Sequence, residues 1–220
     1  MDLYPAVHSA QHRYARTRRW PLALPALLLG LASTPAPAIT ATWIGGDGSY
    51  TDASHWDTAP DVPLNGVGTV YDVVINGAGI DVSYVLAGAG TVDSLSLGAG
   101  TSFTASGLLA SFQSLTTSAN DATLVAEKQA SLDLGGGNLD RSNLIARKGF
   151  LGSGGAVLTT GVTSWTGTNG FNLDRDFSAD GAGSLLDLAS LTHLERSGGS
   201  NTSDLRINAT DGGTVDLSGL

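Results

Sequence analysis

His55 lies between Asp52 and Asp57, a spacing that could hold a metal ion or tune the basicity of the imidazole. A protein metal site usually needs three or four converging ligands. Beyond the first forty residues the other histidine is His193, which is far away in the sequence. We therefore expect no metal site at this histidine.

A run of oxygen-bearing side chains nearby has a loose likeness to a calcium loop. It lacks the glycine and the terminal glutamate that define such a loop. The adjoining segment 45–48 also lacks the aspartate that follows the glycines of the calcium-binding nonapeptide. We expect no dedicated calcium site and no cofactor. The side chains of this run are Asp47, Ser49, Thr51 and Asp52.

Two dense polar groups could carry acid–base chemistry on a polysaccharide. One is the trio Asp174-Arg175-Asp176, and the other combines the run 201–204 with Arg206. Polysaccharide lyases and glycoside hydrolases need paired carboxylates at a fixed separation, or a basic cluster that stabilises an enolate-like intermediate. Aspartate and arginine are also ordinary solvated residues at the corners of a repeat fold. We expect no catalytic residue, and a carbohydrate-active enzyme is the rival hypothesis.

Three large rings, Trp43, Tyr50 and Trp56, fall within fourteen residues. Rings on glycine-rich turns could form a platform on which a sugar stacks. They could instead fold over the open end of an apolar stack, since terminal repeats are commonly atypical. We expect the cap, with glycan binding by these three residues as the alternative.

The sequence around these residues repeats one short pattern, an aliphatic–polar–aliphatic triplet followed by glycine or small residues. A period of two puts both aliphatic side chains on one face of a strand. No single phrase could fold alone, so many must stack to bury their apolar faces. This pattern predicts an all-β solenoid of short strands. The triplets are Leu95-Ser96-Leu97, Leu132-Asp133-Leu134, Leu186-Asp187-Leu188, Leu205-Arg206-Ile207 and Val215-Asp216-Leu217.

The composition agrees with this architecture. Thirty glycines in 220 residues, with only 14% charged residues, favour frequent corners over long helices. A hydrophobic content of 41% argues against disorder and allows a packed core. The chain has no cysteine, so neither a disulfide nor a thiolate nucleophile is available.

Residues 1–38 have the three-part plan of a secretory signal peptide. Four arginines precede an apolar run from Trp20 to Leu31, and Ala36-Pro37-Ala38 offers small residues at the cleavage position. The run is shorter than the roughly 20 residues that span a bilayer, and it contains Pro21 and Pro25. We expect export, with no integral membrane span in the mature part.

Removal of this leader makes the protein more acidic. It holds four of the 11 basic residues and one of the 20 acidic ones, which leaves 7 and 19 and a net charge of −12. A surface of this charge disfavours nucleic acid and anionic lipid as partners. We expect no nucleic acid partner, and an extracellular polysaccharide or a surface partner instead.

Alternation and repetition extend the strand prediction. Alternating apolar residues predict one strand in 71–75 and another in 80–86, joined by a glycine turn. Residues 108–130 are compatible with a short helix or with strands, and we expect strands. The phrase that begins at Asp180 returns at Asp211, and we take the distance between these two aspartates as the repeat offset. We expect two or three strands in each coil.

The order of residues in 42–75 resembles the opening of bacterial secreted β-helix proteins, including autotransporter-passenger-like proteins and surface proteins with a PEP-CTERM sorting tail. Tyr50 stands where tryptophan is common in these proteins, and His55 where asparagine is usual. The resemblance covers 42–110 and returns at 180–220. It implies a right-handed parallel β-helix and an address outside the cell, and it supplies no catalytic residues. The residues that carry it are Thr42, Trp43, Gly45, Gly46, Gly48, Tyr50, Asp52, Ala53, Trp56 and the strand Asp72-Val73-Val74-Ile75.

Together these observations predict a signal peptide at 1–38, a capping segment at 39–65 and β-helix repeats at 66–220. The chain stops inside a repeat, so we expect it to be truncated at its C-terminal end. The predicted function is that of a non-enzymatic, exported structural or adhesive protein on the surface of a Gram-negative-type bacterium. A carbohydrate-active β-helix enzyme and a glycan-binding module are the alternatives.

Overall fold

A computed structural model describes residues 37–149, 154–167, 174–196 and 204–220. Within these ranges the chain forms seventeen strands, one short 3₁₀ turn at Ala53–His55 and no α-helix. The all-β prediction is therefore confirmed. The strands are β1 Ile39–Thr42, β2 Gly48–Ser49, β3 Tyr71–Ile75, β4 Asp81–Tyr84, β5 Gly88–Leu97, β6 Ser102–Ser106, β7 Ala110–Ala119, β8 Thr123–Glu127, β9 Ser131–Asn138, β10 Asn143–Arg147, β11 Val157–Thr160, β12 Ser164–Thr166, β13 Arg175–Asp180, β14 Leu185–Asp187, β15 His193–Glu195, β16 Leu205–Thr210 and β17 Thr214–Asp216.

These strands form two long sheets and one short sheet. The first has the order β1-β3-β5-β7-β9-β11-β14-β17, the second has the order β16-β13-β10-β8-β6-β4-β2, and β12 pairs with β15. Every pairing between these strands is parallel. The chain thus moves from sheet to sheet and returns one coil later beside its earlier strand, an arrangement consistent with a β-solenoid.

The length of a coil varies along the stack. Val73 pairs with Leu95 and Leu124 pairs with Leu144, so the early and middle coils are short. The next coil is longer, because Leu144 pairs with Phe177. This variation explains why the sequence shows recurring phrases without one fixed period.

In the middle coils one long strand is divided into two segments by a break in its ladder. The ladder between β5 and β7 skips Asp93 and Leu115, and the ladder between β7 and β9 skips Leu115 and Gly135. β3 pairs with the part of β5 after the break, whereas β11 pairs with the part of β9 before it. Further along, two separate strands replace the long one, β11 with β12 and then β14 with β15. Each of these coils therefore has two or three strands, as predicted.

The core is built from columns of equivalent residues. Phe103, Leu124, Leu144 and Phe177 are register partners in successive strands of the second sheet, and all four are buried. Parallel pairing in register places side chains of the same face above one another, so alternation within each strand becomes a continuous apolar wall. The fully or nearly fully buried aliphatic residues of the triplets are Leu95, Leu97, Leu132, Leu134, Leu186 and Leu188.

Two local predictions have different outcomes. Residues 108–130 contain β7 and β8, so the choice of strands over a helix is confirmed. The repeat offset from Asp180 to Asp211 is wrong, because Asp180 pairs with Thr210, and Leu186 pairs with Val215 at a shorter offset still. The two phrases match best at their aspartate–glycine corners. The ladder instead aligns the inward-facing aliphatic residues, because the core fixes their face.

The predicted segments differ in how much of each the structure describes. The signal peptide at 1–38 lies outside the described residues except for its last two positions. The capping segment 39–65 contributes β1 to the first sheet and β2 to the second. It is therefore built as a first coil of the same stack, with a loop added after β2.

Candidate functional site

Backbone contacts hold the aromatic segment of the first coil together. Trp43 and Trp56 form an isolated antiparallel bridge. The indole nitrogen of Trp43 donates to the Gly46 carbonyl at 2.9 Å, and that of Trp56 donates to the Tyr50 carbonyl at 2.8 Å. The Tyr50 hydroxyl donates to the Pro63 carbonyl at 2.6 Å. The polar atom of each ring is thus satisfied inside the fold.

The same three rings are buried. Trp43 is 4% exposed, and Tyr50 and Trp56 are 0% exposed. The Tyr50 ring packs edge-on against Trp56 at 4.8 Å between centroids and reaches the following coils, 5.7 Å from Tyr84 and 5.3 Å from Phe112. Burial raises the pKa of Tyr50 well above its ordinary value. A sugar stacks on an exposed ring face, and this geometry offers it none, which favours the cap.

Two glycines of the motif make room for the His55 ring. A Cβ atom on Gly48 would lie 2.1 Å from the imidazole Cε1, and one on Gly45 would lie 2.7 Å from Cγ. Gly46, which lies between them, has open space. His55 in turn packs edge-on against Trp43, with 4.7 Å between ring centroids. The spacing of Gly45 and Gly48 is therefore a packing requirement of the first coil.

Asp47, Asp52 and Asp57 each accept a hydrogen bond within the fold. Asp52 accepts from the Ser54 hydroxyl at 2.7 Å and from its backbone N–H at 3.0 Å, and these bonds lower the pKa of Asp52. Asp57 accepts from the Thr42 backbone N–H at 2.8 Å, and Asp47 accepts from a backbone N–H at the start of β4. In the part of the chain that the structure describes, no three histidine or acidic side chains are grouped as metal ligands.

Two arginines converge on one aspartate at a corner of the stack. Arg175, from the mixed-charge trio, binds the carboxylate of Asp121, which precedes β8. Arg141, which precedes β10, binds the same carboxylate through Nη2 at 2.8 Å. The Arg175 side chain is only 13% exposed. Because β8, β10 and β13 are neighbours in the second sheet, these three residues tie three successive coils together.

The two aspartates of the trio also contact neighbouring coils. Asp174 binds the Arg206 guanidinium and accepts a hydrogen bond from the backbone N–H of Asp204 at 3.0 Å. Asp176 donates its backbone N–H to a side chain of the preceding coil at 2.9 Å. The other predicted polar run, 201–204, lies outside the described residues except for Asp204.

Sequence reasoning missed a buried carboxylate at the end of β8. Glu127 is 9% exposed and accepts hydrogen bonds from Ser106 Oγ at 3.0 Å and Arg147 Nε at 2.9 Å, and Lys128 Nζ lies 2.9 Å from its Oε1. Burial raises the pKa of Glu127, but the hydrogen bonds from Lys128, Arg147 and Ser106 outweigh burial and lower it overall. The length of the coil could have indicated this cluster in the sequence. Ser106, Glu127 and Arg147 are one coil apart, at the ends of successive strands.

An internal cavity beside Trp165 is lined by apolar side chains and one hydroxyl. The buried indole nitrogen of Trp165 has no hydrogen-bond partner in the described ranges. A lining of this kind offers shape but no group that could transfer a proton. The lining residues are Leu139, Leu144, Thr160, Val162, Trp165, Phe177, Leu188 and Leu191.

No protein-family model, no curated protein and no solved structure matches this chain. In the ranges that the structure describes, no helix has the length and hydropathy needed to cross a membrane. The structural observations that bear on function are an aromatic first coil, arginine–aspartate links and a buried glutamate.

Proposed function

We propose that this chain is an exported, non-enzymatic structural or adhesive protein of the surface of a Gram-negative-type bacterium, folded as a right-handed parallel β-helix. Residues 1–38 are its signal peptide, residues 39–65 cap the helix, and the remaining coils form a stalk or passenger. The resemblance of 42–75 to autotransporter-passenger-like and PEP-CTERM-type proteins supports the proposal. The parallel stacking of coils supports it as well.

One observation carries the non-enzymatic part of this proposal: the side chains of Asp174 and Arg175, two members of the mixed-charge trio, are used as ties between coils. Asp121 is shared by Arg141 and Arg175, and Asp174 is held by Arg206. A glycosidase keeps its two carboxylates free to reach the scissile bond. Carboxylates in ion pairs between coils suit a scaffold better.

A polysaccharide depolymerisation assay separates the scaffold from the rival enzyme. The purified chain is incubated with polygalacturonate, alginate and hyaluronate, and reducing ends and unsaturated products are measured. We expect neither product. Product formation that Asp174→Asn or Asp176→Asn abolishes, while the matched variant Asp133→Asn does not, would overturn the non-enzymatic role.

Export is tested by expressing the full chain in a Gram-negative host and sequencing the N-terminus of the periplasmic product. We expect a mature chain that begins at Ile39. The variant Leu28→Arg, which charges the apolar run of the leader, is expected to stay uncleaved in the cytoplasm. An uncleaved cytoplasmic product from the unmodified chain would contradict the proposal.

A further inference from the structure

Two asparagine–glycine pairs lie in the early coils, and the fold holds their side chains in different ways. Asn65-Gly66 lies in the loop that leads to β3, and Asn76-Gly77 lies in the turn between β3 and β4. Asparagine is a thermolabile residue, because its amide reacts with the backbone nitrogen of the residue that follows. A following glycine favours this reaction, since it has no side chain and leaves the backbone free to move. The third such pair of the sequence, at 169–170, lies outside the described residues.

Asn65 is held at both ends of its amide. Its Oδ1 accepts a hydrogen bond from the Tyr71 backbone N–H at 2.7 Å, and its Nδ2 donates to Asp93 Oδ1 at 3.1 Å. The backbone N–H of Gly66 donates to the Thr69 carbonyl at 2.9 Å. Hydrogen bonds therefore restrain both groups that would have to react, the side-chain amide and the glycine nitrogen.

Asn76 has none of these restraints. It is exposed, and within the described residues neither its amide nor the backbone N–H of Gly77 makes a hydrogen bond. The amide oxygen of Asn76 and the nitrogen of Gly77 both lie beside Gly98, 2.5 and 3.4 Å from the point where a Cβ on Gly98 would stand. Because Gly98 has no side chain, the next coil leaves room for the amide and the nitrogen to approach each other.

We propose that Asn76 is a site of spontaneous deamidation. The nitrogen of Gly77 loses its proton to hydroxide and attacks the amide carbon of Asn76, which forms a succinimide ring and releases ammonia. Water then opens the ring. Attack at the side-chain carbonyl breaks the new C–N bond and leaves aspartate, whereas attack at the main-chain carbonyl breaks the original peptide bond and leaves isoaspartate. The net reaction consumes one water and releases one ammonia, with no oxidation or reduction.

Deamidation at this turn changes a contact between neighbouring coils. The Thr101 hydroxyl donates to the Gly77 carbonyl at 3.0 Å, and the backbone N–H of Gly79 donates to the Gly100 carbonyl at 3.2 Å. An isoaspartate at position 76 adds one carbon to the main chain directly before Gly77 and displaces that carbonyl. Thr101 is 1% exposed, and a buried hydroxyl that loses its acceptor destabilises the fold. This inference goes beyond the proposed structural role and does not depend on it.

Peptide mapping of the aged protein tests the inference. The full chain is kept in mildly alkaline buffer, either folded or unfolded in urea, and samples are digested with chymotrypsin. This protease cuts after aromatic residues, so the two asparagines fall in separate peptides, 57–71 and 72–84. Mass spectrometry measures the conversion of an amide into a carboxylic acid in each peptide, and an isoaspartyl methyltransferase labels isoaspartate. The matched control is Asn76→Gln, which keeps an exposed amide but is one carbon too long to form the succinimide.

In the folded protein we expect 72–84 to react at least about tenfold faster than 57–71, because the hydrogen bonds of Asn65 and Gly66 must break before they react. In urea the two peptides should react at similar rates, since unfolding removes those bonds. The urea midpoint of the aged protein should fall, whereas that of aged Asn76→Gln should not. An unchanged 72–84 in the folded protein, or equal rates for the two peptides there, would overturn the inference.

Discussion

The first coil and the last described coil both lie at sheet edges, yet their apolar side chains are buried to different extents. In the first, the rings of Tyr50 and Trp56 are fully buried. In the last, Ile207 is 40% exposed, although its register partner Phe177 in the preceding coil is fully buried. Burial in this fold is therefore supplied by the neighbouring coil. In the first coil, large rings and a folded-back loop cover the side on which no described strand lies.

This difference between the two ends also explains why the first coil is rich in aromatic residues. One aromatic side chain buries about 150–250 Å², more than the aliphatic residues that fill the later coils. The loop after β2 returns through Pro63, whose carbonyl accepts the Tyr50 hydroxyl. A few rings and one loop thus cover the first coil, whereas Leu205 and Val215 in the last described coil remain only partly buried.

Truncating a ring of the first coil should have the largest effect. Trp56→Ala is expected to lower the free energy of unfolding by about 3–5 kcal/mol, because it empties a fully buried indole site. Urea unfolding followed by circular dichroism measures the loss. The control Val67→Ala, at a fully exposed side chain, should stay within about 0.5 kcal/mol of the parent. Equal effects of the two substitutions would remove the capping role.

The burial of the last described coil can be tested with two leucines at equivalent places in successive coils. Leu188 is 1% exposed, whereas Leu217 is only partly buried. Leu188→Ala should cost about 2–5 kcal/mol, and Leu217→Ala should cost less than about 1.5 kcal/mol. The same unfolding measurement decides between them. Matching losses would mean that something covers the last coil as fully as the coil before it.

Two glycine substitutions in the first coil test its packing more specifically. Gly48→Ala should destabilise the protein by about 1–3 kcal/mol, because its Cβ would collide with the His55 ring. Gly46→Ala should be nearly neutral, since its Cβ would meet open space. In a double-mutant cycle, His55→Ala should relieve most of the Gly48→Ala cost. An additive cycle would show that the imidazole is not what excludes a side chain at position 48.

The middle coils differ from both ends in using a buried carboxylate, and this should appear as a pH effect. The folded-state pKa of Glu127 is lowered from its ordinary value of 4.5, so the unfolded chain takes up the proton first as the pH falls. Its contribution to stability is therefore present above about pH 4.5 and is lost below that value.

Urea midpoints measured between neutral and acidic pH test this contribution. The variant Glu127→Gln should be less stable than the parent at neutral pH, and the gap should close as the solution becomes acidic. A constant gap between parent and Glu127→Gln at every pH would show that packing, and not charge, accounts for the loss.

Local patterns in the sequence were enough to predict several strands. A period of two is visible within a few residues, so Leu132-Asp133-Leu134 could be placed on a strand without knowledge of its neighbours. The partners of corner residues could not be predicted in this way. Arg175 meets Asp121 across 54 residues and two coils of unequal length. A single offset, such as the one from Asp180 to Asp211, cannot describe a stack whose corners differ in length.

The aromatic segment shows the same limit on a smaller scale. Its motif was recognisable, and its position at the first coil agrees with the predicted cap. The reason for the spacing of Gly45 and Gly48 lies in their contact with His55, a residue that the sequence analysis considered as a metal ligand and set aside. Only the folded geometry shows that its ring packs against backbone and against Trp43.

The central claim, that neighbouring coils stack in parallel register, can be tested with spin labels on one outward column. Thr91 is linked through successive register partners to Thr159, Asp187 and Asp216. Paired cysteines at Thr91 and each of the other three should give backbone separations of about 14, 19 and 24 Å, because each coil adds about 4.8 Å. Distances that do not rise in this order by near-equal steps would contradict the stacked-coil account.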